Sequence, residues 1–196
     1  MVEILNKYQS NKCIIIPDIG WHVTTLNQQS KIKIGQQMFS SWANSPMGYA
    51  VAAGIGAYYS SKDSEIVIHI GDGGIQVNLQ DLQTVAHYGI PLKIFVWNNN
   101  GYATIQAYQE GNLNNRFHAT DTNHGYSAPD FEEVAKLFKL NYFQLETDNE
   151  IENTVKRVLD TPGPVLCEVI MDINFRPKPS LGAETAYNDL QPALKS

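Results

Sequence analysis

The chain has 196 residues, 43% hydrophobic and 17% charged, with a net charge of −6. This composition gives one globular domain with a sizeable core and excludes a disordered chain, while the acidic balance excludes a nucleic-acid partner, which needs Lys and Arg against phosphate. No apolar run reaches membrane-spanning length and the first residues lack a signal-peptide layout, so the expectation is a cytoplasmic protein without membrane contact.

Val2 to Tyr8 reads as the end of a helix, with Ile4 and Leu5 apolar. Its abrupt start suggests one domain of a larger enzyme, with a natural separate subunit as the alternative. Cys13–Pro17 is a short, wholly apolar strand of the kind buried on both faces. Cys13 and the later Cys167 are read as buried, reduced thiols. Asp18-Ile19-Gly20-Trp21-His22 is a turn and a helix start. Lys31–Ile34 alternates and is read as a second strand, followed by a loop from Ser40 to Pro46. Met47–Tyr59 is apolar nearly all round, which predicts a helix buried on all sides.

Strand Ile66–Ile70 then runs into Gly71-Asp72-Gly73-Gly74. The pattern places the next helix from Asn78, as N-cap, with Asp81 in capping-box position. Leu79, Leu82, Val85 and Ala86 form its apolar face, Gly89 its C′ residue, and Pro91 blocks continuation. Strand Leu92–Trp97 ends at Asn98-Asn99. Residues 111–125 are polar and read as a mobile loop near the site. Ser127-Ala-Pro-Asp130 opens a helix carrying Phe131, Val134, Ala135 and Phe138. Strand Tyr142–Leu145, an amphipathic helix over Asn149–Leu159 and strand Val165–Met171 follow. The expectation is an α/β fold over residues 1–174, a doubly wound, mostly parallel sheet with helices on both faces, and an extended tail over 175–196.

Asp72 and Asn99 stand 27 positions apart, room for one helix and a return strand, so both side chains fall at the carboxyl ends of strands, where such sheets bind ligands. A carboxylate and an amide oxygen beside glycine-rich backbone suit Mg²⁺ and a phosphorylated group. Mg²⁺ prefers oxygen ligands shared with phosphates; Gly73 and Gly74 let bare N–H groups approach them. Gly54-Ile-Gly56 begins like a dinucleotide fingerprint, but Tyr59 breaks it and the run lies within a helix, so no NAD site is expected. His69, inside a strand, is read as a core residue and His87 as exposed at a helix end. His118 and His124 are candidates to meet substrate.

From Gly71 to Asn99 the chain resembles the thiamine-diphosphate motif, and from roughly Cys13 to Asp172 it resembles the carboxyl-terminal, diphosphate-binding domain of acetolactate synthase and its relatives. The resemblance implies that Asp72 and the Asn99 side chain bind Mg²⁺ with the main-chain carbonyl of Gly101. Gly71, Gly73 and Gly74 would flank the diphosphate. Ile19-Gly20-Trp21-His22 resembles the family's Val-Gly-Gln-His beside the same group, with Trp21 departing from Gln. Ser45-Pro46-Met47-Gly48 resembles the aminopyrimidine segment: the Ser45 carbonyl and Met47 N–H would bond that ring, and the Met47 side chain would hold the cofactor bent. Tyr102 and Thr104 would line the same pocket. Tyr108 stands where acetolactate synthases have Trp, which leaves the product open.

In such enzymes an activating glutamate sits on a separate pyrimidine-binding domain, so the catalytic residue is expected on a partner domain of the same or a separate chain, in a homo- or hetero-oligomer. The implied function is the diphosphate-binding domain or subunit of a 2-oxo acid decarboxylase or carboligase. Any FAD would belong to the full-length enzyme. Three alternatives stay open: a decarboxylase subunit without ligase activity, a non-catalytic thiamine-diphosphate module, and a Mg²⁺-dependent phosphate-handling domain without thiamine.

Overall fold

A computed structural model describes residues 1–181 together with Leu190 and Gln191. In chain order the elements are α1 (Val2–Tyr8), β1 (Ile14–Pro17), α2 (Trp21–Gln29), β2 (Gln37–Met38), α3 (Tyr49–Ser60), β3 (Ile66–Gly71), α4 (Asp72–Val77), α5 (Asp81–His87), β4 (Lys93–Asn98), α6 (Ala103–Asn112), α7 (Phe131–Phe138), β5 (Asn141–Leu145), α8 (Ile151–Asp160) and β6 (Val165–Ile170). Strands β7 (Ser180–Leu181) and β8 (Leu190–Gln191) form a small antiparallel pair. The other six make one all-parallel sheet in the order β2-β1-β3-β4-β6-β5.

The central strands are Ile- and Val-rich because both of their faces are covered. Successive side chains alternate across the sheet. Ile66, Ile68 and Ile70 point to the layer of α3, α5 and α7, with Leu82, Val85, Phe131 and Val134. Val67 and Phe95 point to the opposite layer of α1, α2 and α8, with Leu5, Leu26, Val155 and Val158. From β1 the chain crosses to the edge strand β2; from β3 it crosses the other way, to β4. The crevice at the carboxyl ends of β1 and β3 is therefore the topological switch point, the place where open α/β sheets bind ligands.

Four local expectations are corrected. Lys31–Ile34 is not a strand: Ile34 is 99% exposed and the place beside β1 goes to Gln37–Met38. The alternation there has no core to face, and Lys33 is tied instead to Gln36 and to the Gln9 carbonyl. Helix α3 is buried on one side only, through Ala50, Val51, Gly54 and Ala57; Ala52 and Gly56 are exposed and Tyr59 is half exposed. Small apolar residues lose little by facing water, so composition overstated its burial. Asn78 is not an N-cap. The glycine turn is itself the short helix α4, which ends at Val77 with Asn78 as its C-cap, before α5 starts at Asp81. Residues 111–125 hold built turns rather than loose loop: α6 runs to Asn112, and Asp121 caps a 3₁₀ turn over Thr122–His124.

Helix α6 has no counterpart in the sequence reading, because Thr104, Gln106, Gln109 and Glu110 give it only a faint apolar stripe. Helix α7, by contrast, carries the foreseen cap: the Asp130 carboxylate accepts from Glu133 N–H. Most of the tail from residue 182 lies outside the described residues. Among them, no helix is long and apolar enough to cross a membrane.

Candidate functional site

Asp72 is the first residue of α4, immediately beyond β3, and is 2% exposed. Its Oδ2 accepts from Gly101 N–H at 3.0 Å and from the Tyr126 hydroxyl at 2.6 Å. Burial pushes its carboxyl above the usual carboxylate range, and these donors pull it back. Tyr126 is pushed far above its ordinary value by burial and by the Asp72 charge, so its phenol stays an O–H donor.

Asn99 follows β4, on the strand next to β3. Its neighbour Asn98 is fixed at both ends. Nδ2 donates to Glu168 Oε1 at 2.6 Å, and Oδ1 accepts from Asn100 N–H at 2.9 Å. Glu168 also accepts from the Tyr142 hydroxyl at 2.5 Å. With Asn98 held, the chain turns through Asn100 at φ 52° and leaves Asn99 Oδ1 buried without a hydrogen-bond donor among the described residues. A buried acceptor without a donor is uncommon and calls for a reason.

The glycine turn brings backbone close to its neighbours. A Cβ on Gly73 would lie 2.0 Å from the Tyr102 ring, and one on Gly74 2.9 Å from Asp18 Oδ2. Asp18 ties three segments together, a role that sequence reasoning missed. Fully buried, it accepts from Ile19 N–H at 2.8 Å and, across the chain, from Gly48 N–H at 2.8 Å. Burial raises its carboxyl to about 6 against those donors. Asn78, misread as an N-cap, donates to the Gly48 carbonyl at 2.8 Å. Together they lock the Ser45–Gly48 segment to the β1 loop and the end of α4. The only sign in the sequence was that both are polar residues next to apolar runs.

Under the β1 loop lies an aromatic floor. Trp97 Nε1 donates to His69 Nδ1 at 3.2 Å, and His69 stacks on Phe95 at 5.3 Å. Burial lowers His22 to about 4; burial and then His22 lower His69 to about 3, so both are neutral imidazoles. His69 is fully buried, as expected for a core residue.

Among these contacts lies one cleft of about 300 Å³. Ile19, Gly20, Trp21, His22, Ser45, Met47, Gly71, Asp72, Gly73, Gly74, Asn99, Gly101 and Tyr102 line it together, as does Thr104. Ser45 is held at φ 43° and Met47 is 37% exposed. Further wall comes from Ile105 at the start of α6 and from Met171, Asp172 and Phe175 beyond β6, which the sequence reading left out. Tyr108 is 59% exposed and not in the wall. His118 and His124 are exposed outside the cleft; His124 pairs with Asp121 at 2.7 Å. Among the described residues no three His, Cys, Asp or Glu side chains converge as a metal cage, so a cation here must take neutral oxygens and a ligand's oxygens beside Asp72.

Residues 18–169 match the family described as "Thiamine pyrophosphate enzyme, C-terminal TPP binding domain". The chain is 29% identical over 171 residues to the acetolactate synthase large subunit of Cyanidium caldarium, covering 86% of this chain and 29% of that protein. It is 30% identical over 171 residues to that of Pyropia yezoensis, with 86% and 28% covered. It is 26% identical over 198 residues to acetolactate synthase 1, chloroplastic, of Zea mays, with 96% and 30% covered. The chain thus spans about three tenths of the length of these curated relatives.

Proposed function

The chain belongs to the thiamine pyrophosphate enzymes, as their C-terminal TPP-binding domain, and from that premise we propose that it holds Mg²⁺-thiamine diphosphate in the cleft between β1, β3 and β4 for a 2-oxo acid decarboxylase or carboligase. The observation that carries the metal is Asn99 Oδ1, a buried acceptor with no donor among the described residues, just past the strand that neighbours β3 and Asp72. An oxygen left without a proton to accept suits a cation, and an amide oxygen with one carboxylate suits Mg²⁺ sharing phosphate ligands. Asp72, Asn99 and the Gly101 carbonyl would hold the ion. Gly71, Gly73 and Gly74, which line the cleft together with Ile19–His22, would accept the diphosphate on backbone N–H groups. Ser45 and Met47 would meet the aminopyrimidine ring.

When bound, thiamine diphosphate supplies a carbon nucleophile and an electron sink for loss of CO₂ from a 2-oxo acid. This chain's residues bind and orient it: the metal corner fixes one end, and the Ser45–Met47 segment, anchored through Asp18 and Asn78, fixes the other. Of the two carboxylates in the cleft wall, Asp72 is assigned to the metal corner and Asp172 Oδ1 accepts from the backbone N–H and the side-chain amide of Asn174. The activating glutamate is assigned to a pyrimidine-binding partner domain, and the working enzyme to an oligomer. A flavin, where the intact enzyme uses one, would sit on another domain. The buried free thiols Cys13 and Cys167 support a reducing, cytoplasmic setting.

Calorimetry with thiamine diphosphate, with and without Mg²⁺, tests the binding. The expected result is weak binding that Mg²⁺ strengthens, with the strengthening lost in Asp72→Ala; a variant that binds as tightly as the parent in Mg²⁺ would remove Asp72 from the metal site. CO₂ release from pyruvate is expected only after a pyrimidine-domain partner is added. Turnover by the purified chain alone would overturn the division of the active site.

A further inference from the structure

Tyr126 lies outside the cleft wall and 54 residues from Asp72, yet its hydroxyl ends 2.6 Å from Asp72 Oδ2. Gln76 determines the direction of that bond. Its Nε2 faces the Asp72 carbonyl at 3.2 Å, the Ser127 carbonyl at 3.4 Å and the Tyr126 oxygen at 3.1 Å. Two of these are carbonyls, which only accept, so this end of the amide is the NH₂ and donates to the phenol. The phenol has one proton, and it goes to Asp72. Gly101 N–H donates to the same Oδ2. Both donors therefore hold Oδ2; the backbone N–H groups of Asp72 and Gly73 also face the carboxylate, and no donor from another segment reaches Oδ1 among the described residues.

A carboxylate's terminal torsion is soft and roughly two-fold. One donor leaves it free to swing about that contact; two donors from different segments fix its plane. The Tyr126 ring is held in turn by the Tyr102 ring, edge-on at 4.6 Å, and by its own N–H on the Asp121 carbonyl at 2.9 Å.

We infer that Tyr126, oriented by Gln76, is the positioning residue that aims Asp72 Oδ1 at the bound cation, so that the phenol sets the metal-dependent part of cofactor affinity. The inference rests on the Mg²⁺-thiamine diphosphate reading of the cleft and extends it beyond the cleft wall. Partners of this kind typically change metal affinity about 10- to 100-fold.

The test is Tyr126→Phe, with thermal unfolding as the check on folding. Thiamine diphosphate is titrated with no metal and over a range of Mg²⁺, and Mn²⁺ binding is followed by electron paramagnetic resonance. The expected result is unchanged metal-free binding, with the Mg²⁺ and Mn²⁺ midpoints raised about tenfold. Gln76→Met, which keeps the phenol but frees its proton, should shift the same midpoints by a smaller factor, and it carries the test if Tyr126→Phe does not fold. Midpoints equal to the parent's in the folded variants overturn the inference alone. So does an equal loss with and without metal, since that is what a merely structural role gives. A parent chain whose cofactor binding ignores Mg²⁺ overturns the metal reading and this inference with it.

Discussion

Asp18 and Gly48, thirty residues apart, are joined by a hydrogen bond of 2.8 Å from the Gly48 N–H to Asp18 Oδ2. Gly48 can serve there because it sits at φ 79°, and a Cβ on it would lie 2.9 Å from Val77 Cβ. Gly48→Ala should therefore destabilise the fold by about 1–3 kcal/mol, through left-handed strain and contact with a branched side chain. Gly56→Ala, inside α3, is the control: among the described residues nothing lies within 4 Å of its added Cβ, and it should gain about 0.5–1 kcal/mol. Urea unfolding of the two variants reads both. Equal effects would mean that the turn into α3 is not under the constraint described.

The same carboxylate predicts a pH dependence. Asp18 is raised from 3.8 to about 6 by burial, so its neutral form is favoured in the fold. That contribution is complete below about 4 and is lost as pH rises to about 6, up to about 3 kcal/mol. Asp18→Asn removes the titration and keeps the size, at a pH-independent cost, since its NH₂ cannot accept one of the two backbone N–H bonds. Its stability relative to the parent should improve by that amount from pH 4 to pH 7, as read by urea unfolding at each pH. His22 and His69 act in the opposite sense: lowered to about 4 and about 3, they stabilise the fold above about 6.5, and that stabilisation is lost as pH falls. The difference between variant and parent cancels their share, so a flat difference profile would show that Asp18 does not titrate in this window.

The sheet, and the place of Asp72 and Asn99 at the ends of neighbouring strands, were legible because their signals are local. Ile66–Ile70 and Leu92–Trp97 are apolar runs interrupted only by His69 and Lys93 and ended by small polar residues, the pattern of a strand buried on both faces. What was not legible depends on contacts between distant segments. Asp18, Asn78 and Tyr126 act on partners 30, 30 and 54 residues away, and nothing in their own neighbourhoods reports this. Asn78 shows the effect plainly. Asn followed three residues later by Asp fits a capping box, yet its amide is taken by Gly48. At Lys31–Ile34 a correct period had no core to face, and α6 had a core but almost no period.

Gly73 supplies the third prediction. Its Cα packs on the Tyr102 ring so closely that an added Cβ would come within 2.0 Å of it. Tyr102 in turn braces Tyr126, so Gly73→Ala should push both rings and disturb the Asp72 carboxylate without emptying the core. The expected outcome is loss of thiamine diphosphate binding by more than about tenfold, with destabilisation limited to about 1–3 kcal/mol. Calorimetry and urea unfolding on the same sample separate the two, and retained affinity would show that the turn has room to spare.

Asn99 separates binding from stability in the opposite direction. Its Oδ1 is buried with no donor among the described residues, a state that costs about 1–3 kcal/mol when no cation is present. Asn99→Ala removes the oxygen and with it that cost, against a small loss of packing. The metal-free variant should unfold at equal or higher urea than the parent, by up to about 1 kcal/mol, a gain often seen when a functional group is deleted. With Mg²⁺ and thiamine diphosphate the order should reverse. A ligand at 100 times its dissociation constant stabilises the parent by about 2.7 kcal/mol, and the variant, lacking a metal ligand, should gain much less. Chelation with EDTA should return the parent to its lower metal-free stability and leave the variant unchanged. If Asn99→Ala instead destabilised the metal-free chain by several kcal/mol, Oδ1 would be accepting a structural hydrogen bond, and the orphaned oxygen would no longer argue for a cation.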